Sequence, residues 1–272
     1  EFGHIAARAG SEVCMIDRGE RPLKGFDADL VERLVARGEE VGVQLRRRTS
    51  LKSIKKDGTD FLVTVETDSE TKDLRADLVV QGAGRVAAID QLDLAAANVE
   101  AGDKGVAVNA YLQSTSNPKI YAAGDAADTQ GAPLTPVAVF EGKVAASNML
   151  KGNRTKPDYS GVPSAVFTVP ELTRVGMLEQ DAREAGHDIR VVENDTGDWY
   201  SNLRVGESCA ATKVIIDKDS DTILGAHLLG PEYGEIINFF GLAIRLGLTT
   251  SDLKKMVSVY PSVGSDLGSM LS

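Results

Sequence analysis

The stretch Lys119-Ile120-Tyr121-Ala122-Ala123-Gly124-Asp125 decides the fold class, because it predicts an apolar strand over 119–123 that ends in small residues and one carboxylate. Parallel α/β sheets bind ligands at the carboxyl ends of their strands, which is where Asp125 would lie. Alanine and glycine at that edge let a bulky ligand approach the backbone, and a carboxylate can accept a hydrogen bond from a sugar-like hydroxyl. A plain strand followed by an Asx turn is equally compatible with these residues.

The residues that follow predict a helix that starts close to the same edge. Thr135 is the predicted N-cap and Pro136 the predicted first helical residue of a helix that reaches Leu150. A helix N-terminus presents free N–H groups and a partial positive charge, so it would stabilise negative charge on a neighbouring ligand. Because most helices have a cap of this kind, it is the short spacing behind Asp125 that indicates a site.

Outward from this stretch, the pattern divides the chain into residues 1–85, 86–157 and 158–272. The first segment alternates helix and strand, contains an inserted β-meander and ends in an apolar strand at 77–81, an order typical of a nucleotide-binding half of a doubly wound fold. The last segment has an α+β pattern. The sequence therefore predicts an α/β protein, with partial doubly wound (Rossmann-like) nucleotide-binding domains followed by an α+β domain.

Composition restricts the class of function. The 272 residues are 42% hydrophobic and 26% charged, which is ordinary for a soluble globular protein. A net charge of −10 argues against binding to nucleic acid or to an anionic membrane surface. The cysteines Cys14 and Cys209 form no paired motif, so neither a metal site nor a redox dithiol is predicted, and a reducing cytoplasm is the expected compartment.

Several separated motifs resemble, in order, those of the class I pyridine nucleotide-disulfide oxidoreductases, the family of glutathione reductase, dihydrolipoamide dehydrogenase and mercuric reductase. The segments 120–125 and 134–138, with Glu141-Gly142-Lys143, resemble the family's FAD segment. Gly82-Ala83-Gly84-Arg85 is similar to its GxGR turn, and 167–171 is similar to the start of its interface domain. Ordered motifs along nearly the whole chain are more specific than a lone glycine fingerprint.

The resemblance implies FAD and NAD(P)H as cofactors, and it assigns residues to each. Residues 1–85 would be part of the NAD(P)-binding domain, 86–157 the C-terminal part of the FAD-binding domain, and 158–272 the interface through which a homodimer forms. Asp125 with Gly124 would contact the ribityl–phosphate region of FAD. The pyrimidine edge of the flavin would meet Leu134, Thr135, Pro136 and Val137. Gly84 would line the nicotinamide dinucleotide, and Glu1 would lie near the contact between nicotinamide and flavin.

The loop that follows the predicted strand at 12–17 would bind the adenosine ribose of the nicotinamide cofactor. Asp17 suits the 2′-hydroxyl of NAD, whereas Arg18 and Lys24 suit the 2′-phosphate of NADP. Because both signs of charge are present, the sequence leaves the choice between NAD and NADP open. Arg21, in the same loop, is equally compatible with a solvated basic surface.

The C-terminal motif departs from the family pattern. Members that reduce disulfides carry a His-Pro…Glu arrangement there, in which the histidine exchanges protons with the thiols. In this chain Tyr260 stands before Pro261 in place of the histidine, and Ser265 stands in place of the glutamate. A phenol, with an ordinary pKa near 10, does not shuttle protons at neutral pH as an imidazole does. We therefore expect no disulfide reduction by the usual route, and we name Tyr260 and Glu1 as the catalytic candidates.

Two functions of different classes follow. The first is an FAD-dependent NAD(P)H oxidoreductase that passes hydride from NAD(P)H to FAD and on to an unidentified small-molecule acceptor, with quinones, metals and small electrophiles as candidates. The second is a non-catalytic dimerisation module without bound cofactor. The chain opens in a helix, and neither a glycine-rich FAD loop nor a CxxxxC pair is present. We therefore expect a truncated chain that has lost most of its affinity for FAD and is itself inactive, and whose parent protein is the enzyme.

Overall fold

The computed structural model describes residues 1–272 and contains seven α-helices and thirteen strands. The helices are α1 (Phe2–Arg8), α2 (Ala28–Glu40), α3 (Thr135–Lys151), α4 (Glu179–Glu184), α5 (Tyr200–Leu203), α6 (Tyr233–Leu246) and α7 (Thr250–Leu253). The strands are β1 (Val13–Ile16), β2 (Val43–Arg46), β3 (Ser50–Asp57), β4 (Asp60–Glu66), β5 (Thr71–Ala76), β6 (Ala101–Gly102), β7 (Gly105–Ala107), β8 (Ala127–Asp128), β9 (Ser164–Val166), β10 (Glu171–Gly176), β11 (Ile189–Asp195), β12 (Ala211–Asp217) and β13 (Ile223–Gly230).

The chain forms two compact units, and the mixed α/β class is confirmed. One unit combines Glu1–Val80 with Pro163–Ser272, and the other is Gln81–Val162. The first unit therefore unites residues from the first and last of the three segments expected from the sequence. The division into three functional domains stays a prediction.

The N-terminal part of the first unit pairs β1 with β2 in parallel, with Val13 opposite Val43. Helix α2 begins after Asp27, whose side chain accepts hydrogen bonds from the N–H groups of Asp29 and Leu30 at 3.1 and 3.2 Å. This capping satisfies donors that would otherwise lack partners. The inserted meander is the antiparallel sheet β3-β4-β5.

The C-terminal part of the first unit is a five-stranded antiparallel sheet in the order β11-β12-β13-β10-β9. On one face, α6 packs Ile236 and Phe240 against a core that includes Leu228. On the opposite face, α2 packs Leu30 against a core that includes Leu229. Because both faces of the central strands are covered, β12 and β13 are buried almost throughout, which accounts for the apolar runs at 214–216 and 228–229.

The second unit contains the small sheet β6-β7-β8 and helix α3. At the start of β7, Gly105 has φ +116°, and a Cβ there would lie 2.5 Å from the carbonyl oxygen of Ala126. Only glycine lets the two backbones approach so closely. The buried face of α3 is formed by Val137, Glu141, Val144, Ala145 and Asn148.

Two predicted strands are wrong. Residues 77–81 form no strand, and Leu78 and Val80 are exposed. Residues 119–123 form only an isolated bridge, between Tyr121 and Gln113. A strand is stabilised by a hydrogen-bonded neighbour, and neither apolar segment has a regular one in this chain. Conversely, β5 and β10 form although their sequences were not recognised as strands, because each pairs with an established neighbour, β4 and β13 respectively.

None of the seven helices has both the length and the apolar character that crossing a membrane requires.

Candidate functional site

The turn that contains Asp125 lies against the first turn of α3. Gly124–Ala126 form a single turn of 3₁₀ helix, in which Gly124 has φ +65°. A Cβ on Gly124 would lie 2.8 Å from the Cβ of Ala138, closer than two carbons can approach. Both the left-handed backbone and this contact therefore require glycine. Asp125 thus stands in a fixed turn rather than at the end of a regular strand.

The start of α3 differs from the prediction in one respect. Leu134, with φ −122° and ψ 141°, is the N-cap, so Thr135 is the first helical residue and Pro136 the second. The helix begins at Leu134 because its carbonyl accepts the N–H of Ala138 at 2.9 Å. No side chain caps this end.

The uncapped end of α3 leaves hydrogen-bond donors free. The N–H groups of Thr135 and Val137 have no partner in the chain, and Pro136 has no N–H to satisfy. Thr135 and Pro136 are exposed, whereas the Val137 side chain is buried. The helix end therefore combines two free donors with the partial positive charge of a helix N-terminus.

Asp125 has one ionic neighbour. Nη2 of Arg85 lies 3.7 Å from its carboxylate, and both side chains are largely exposed, so the pair contributes little stability. Gly84, beside Arg85, has φ +110° and no heavy atom within 4 Å of where a Cβ would be. The carboxylate of Asp125 makes no hydrogen bond within the chain, which leaves it free to accept one from a ligand.

Glu141 belongs to a motif identified from the sequence, but its role in the structure was not predicted. It is 0% exposed, and its carboxylate accepts hydrogen bonds from Gly124 N–H at 2.6 Å, Thr129 Oγ1 at 2.8 Å and the Tyr159 hydroxyl at 2.6 Å. Burial, together with the bond to Glu141, raises the pKa of Tyr159 to about 12. The available signal was spacing, because Val137, Glu141, Val144 and Asn148 recur at helical intervals on one face.

The loop after β1 holds the three residues predicted to bind the ribose. Oδ1 of Asp17 accepts the N–H of Gly19 at 2.6 Å, which closes the loop on itself. Arg21 is turned inward and donates to the carbonyls of Phe26 and Lys24 at 3.1 and 3.3 Å. Arg18 and Lys24 are exposed. The structure therefore assigns Arg21 to loop architecture, while charges of both signs stay available near Asp17.

The two catalytic candidates lie in the first unit. Oε1 of Glu1 accepts the backbone N–H of Phe167 at 2.8 Å. Tyr260, which precedes a cis peptide bond to Pro261, is 78% exposed, and its hydroxyl makes no hydrogen bond. Ser265, in place of the family's glutamate, donates its hydroxyl hydrogen to the carbonyl of Ser262 and so serves the local turn.

Comparisons with known proteins extend over both units. Residues 1–142 match the family described as pyridine nucleotide-disulphide oxidoreductase, and residues 162–270 match its dimerisation domain. An uncharacterized 19.7 kDa protein in the mercuric resistance operon of Staphylococcus aureus is 51% identical over 180 residues, which are 66% of this chain and 100% of that protein.

A mercuric reductase of Bacillus cereus is 31% identical over 268 residues, covering 98% of this chain and 42% of the reductase. Among solved structures, the Cu(II) complex of the HOCl-induced flavoprotein disulfide reductase RclA from Escherichia coli superposes with a TM-score of 0.89 at 26% identity. That match covers 99% of this chain and 60% of the other. The chain thus spans less than two thirds of the length of these two reductases. It belongs to the pyridine nucleotide-disulphide oxidoreductase family.

Proposed function

We propose that this chain supplies flavin-binding and nicotinamide-binding parts of an FAD-dependent NAD(P)H oxidoreductase. The observation that carries the proposal is the pair of free N–H groups at Thr135 and Val137 on the helix whose first turn packs against the Gly124–Asp125 turn. FAD, when bound, would accept hydride from NAD(P)H and pass electrons to a small-molecule acceptor.

Three features of the second unit support the fit to a flavin. The N–H groups of Thr135 and Val137, with the positive end of α3, suit the oxygen-bearing pyrimidine edge, where reduction places negative charge. The carboxylate of Asp125 can accept a hydrogen bond from a ribityl hydroxyl. Gly124 lets that part of the ligand approach the backbone. Leu134 and Pro136 complete the surface on either side of Thr135.

The family resemblance also assigns residues to the nicotinamide cofactor. Asp17, Arg18 and Lys24 would bind the adenosine ribose, and Gly84 would line the dinucleotide. Glu1 would act near the reacting ring, although its carboxylate is already engaged by the N–H of Phe167. Asp17 supports binding of the 2′-hydroxyl of NAD, and the exposed side chains of Arg18 and Lys24 support binding of the 2′-phosphate of NADP. We therefore keep both NAD and NADP as candidate cofactors.

We propose that the electron acceptor is a small molecule, and that it is not a disulfide reduced by the family's histidine-dependent route. Tyr260 is exposed and its hydroxyl is unbound, so it can donate a hydrogen bond to an acceptor or hold a proton on its phenol oxygen. A proton-shuttling imidazole is absent from that position. Metal ions are among the candidate acceptors, as the name of the related mercuric reductase suggests.

A second candidate function is a dimerisation module that binds no cofactor. The outer side of α6 exposes Phe239, Leu242 and Leu246 at helical spacing, whereas its inner side is buried in the core. We propose that this stripe lies at the interface of a homodimer through residues 158–272, an arrangement compatible with either function. We also propose a cytoplasmic location for the protein.

The binding of FAD by the purified chain separates the two functions. Titration with FAD, followed by quenching of flavin fluorescence, should show weak but saturable binding, and Asp125→Asn should weaken it at least tenfold further, because a charged hydrogen bond is lost. Asp103→Asn, an exposed acid in the turn between β6 and β7, is the matched control and should leave the affinity unchanged. A chain that binds no FAD contradicts the oxidoreductase proposal and favours the dimerisation module.

A further inference from the structure

The buried carboxylate of Glu141 has no cation beside it. No Lys, Arg or His lies within ion-pair distance, yet the side chain is 0% exposed. A buried carboxylate without a counter-ion requires hydrogen bonds to hold its charge. Oε2 accepts the N–H of Gly124 at 2.6 Å, and Oε1 accepts the hydroxyls of Thr129 and Tyr159 at 2.8 and 2.6 Å.

The three donors come from three separate segments of the second unit. Gly124 lies in the turn before Asp125, Thr129 follows β8, and Tyr159 lies beyond the end of α3. The site closes tightly around the carboxylate, since a Cβ on Gly131 would lie 2.6 Å from its Oε1. Glu141 therefore ties all three segments to one point on α3.

The bond to Gly124 differs in kind from the other two. It fixes the peptide that enters the Gly124–Asp125 turn, whose left-handed backbone no other side chain holds. The hydroxyls of Thr129 and Tyr159 donate to the carboxylate and form no hydrogen bond with the turn. The N–H of Ala127 closes the turn on the carbonyl of Gly124, and the bond from Gly124 to Glu141 is the side-chain hydrogen bond that holds this peptide and so helps to orient Asp125.

We propose that Glu141 is a positioning residue that holds the Gly124–Asp125 turn in the conformation that binds the flavin. The inference rests on the proposed function, because the ligand of the turn is taken to be FAD. It predicts that flavin affinity depends on an acceptor oxygen facing Gly124 rather than on the negative charge of Glu141 as such.

A set of variants of the full chain tests this dependence. Glu141→Leu removes the acceptor and should weaken FAD binding at least tenfold, because a buried N–H is left unpaired and the turn is released. Glu141→Gln should stay within about threefold of wild type, because its carbonyl can face Gly124 while its NH₂ donates to the two hydroxyl oxygens. The affinity is measured by FAD titration.

A matched control separates positioning from general destabilisation. The double variant Thr129→Val with Tyr159→Phe removes two donors to the carboxylate but keeps its bond to Gly124. It should lower the urea midpoint as Glu141→Leu does, yet retain FAD affinity within about threefold. In spectra of ¹⁵N-labelled protein without FAD, the Gly124 amide resonance should move strongly in Glu141→Leu and little in the double variant.

The outcomes distinguish this inference from the proposed function. If wild type binds FAD and Glu141→Leu binds it equally well, the positioning role is overturned while the function stands. The role is also overturned if the double variant loses as much affinity as Glu141→Leu. If wild type binds no FAD, both the function and the inference fall.

Discussion

At the scale of single residues, Lys213 forms an ion pair with Asp27 in which both side chains are buried. It is 4% exposed, and its Nζ lies 3.0 Å from the carboxylate of buried Asp27, 3.3 Å from that of Glu193, and is bonded to Asp29. Burial acts to lower the pKa of Lys213, but hydrogen bonds to Asp29 and Asp27 outweigh it and raise the pKa above its usual value. The ammonium therefore stays charged across the neutral range.

Replacement of this lysine tests how much the cluster stabilises the first unit. Lys213→Met should reduce the free energy of unfolding by about 3–5 kcal/mol, because Asp27 would stay buried without a cation. Lys218→Met, which breaks the exposed pair with Asp188, should cost no more than about 1 kcal/mol. Urea denaturation of both variants provides the comparison, and equal losses would contradict the role assigned to burial.

Asp217 gives a residue-scale prediction for pH. The backbone N–H of Ser220, followed by the side chain of His187, lowers the pKa of Asp217 to about 2. The pKa of Asp217 in the folded state lies below its unfolded value of about 3.9. The ionised carboxylate therefore stabilises the fold above about pH 3.9, and this contribution disappears as the pH falls toward 2. Asp217→Asn should therefore make the thermal midpoint less sensitive to pH between about 4 and about 2. Asp219→Asn, its exposed neighbour, should keep the wild-type slope.

At the scale of elements, α6 presents two adjacent phenylalanines to opposite environments. Phe240 is 0% exposed in the core beneath the sheet, whereas Phe239 is 38% exposed. Phe240→Ala should lower the free energy of unfolding by about 3–5 kcal/mol, because it removes buried area and leaves a cavity. Phe239→Ala should cost far less in a monomer. Urea melts at low protein concentration measure both, and similar losses would mean that α6 packs by another face.

The elements also show which parts of the fold sequence can predict. Helix α2 was predictable because its signals are local, namely the Asp27 cap and the apolar stripe through Leu30 and Leu34. The apolar runs at 77–81 and 119–123 were wrongly predicted to be strands. Apolar character favours burial, but a strand also needs a neighbouring strand to which its backbone can hydrogen-bond. Pairing is a long-range property that an isolated segment does not encode.

The candidate site also has a part that the sequence predicts and a part that it does not. Its exposed parts, Asp125 and the start of α3, were predicted from motifs, although the cap moved by one residue to Leu134. The buried, supporting role of Glu141 was not predicted, because an acid at helical spacing usually faces solvent. Only the fold shows that the donors Gly124, Thr129 and Tyr159 converge on it.

At the scale of the whole molecule, the proposed homodimer would cover the apolar stripe of α6. Leu242 in that stripe is 52% exposed, as is Leu51 on β3, so the two give a matched pair of equally exposed leucines. Wild type should have a solution mass near twice 28.9 kDa by light scattering after size exclusion. Leu242→Glu should shift it toward monomer, because a carboxylate buried at an interface without a cation is costly.

Leu51→Glu should leave the dimer intact, since β3 belongs to the meander outside residues 158–272. Dissociation of both variants would make the effect nonspecific, and a monomeric wild type would contradict the dimer itself.

FAD titration of the Leu242→Glu monomer tests whether the flavin site depends on the dimer. The Gly124–Asp125 turn and its support Glu141 lie together in the second unit, so the flavin contacts assigned to them do not require a second copy of the chain. We therefore expect the monomer to keep an FAD affinity within about threefold of the dimer, a difference of less than about 1 kcal/mol. A larger loss would mean that the partner copy completes the flavin site.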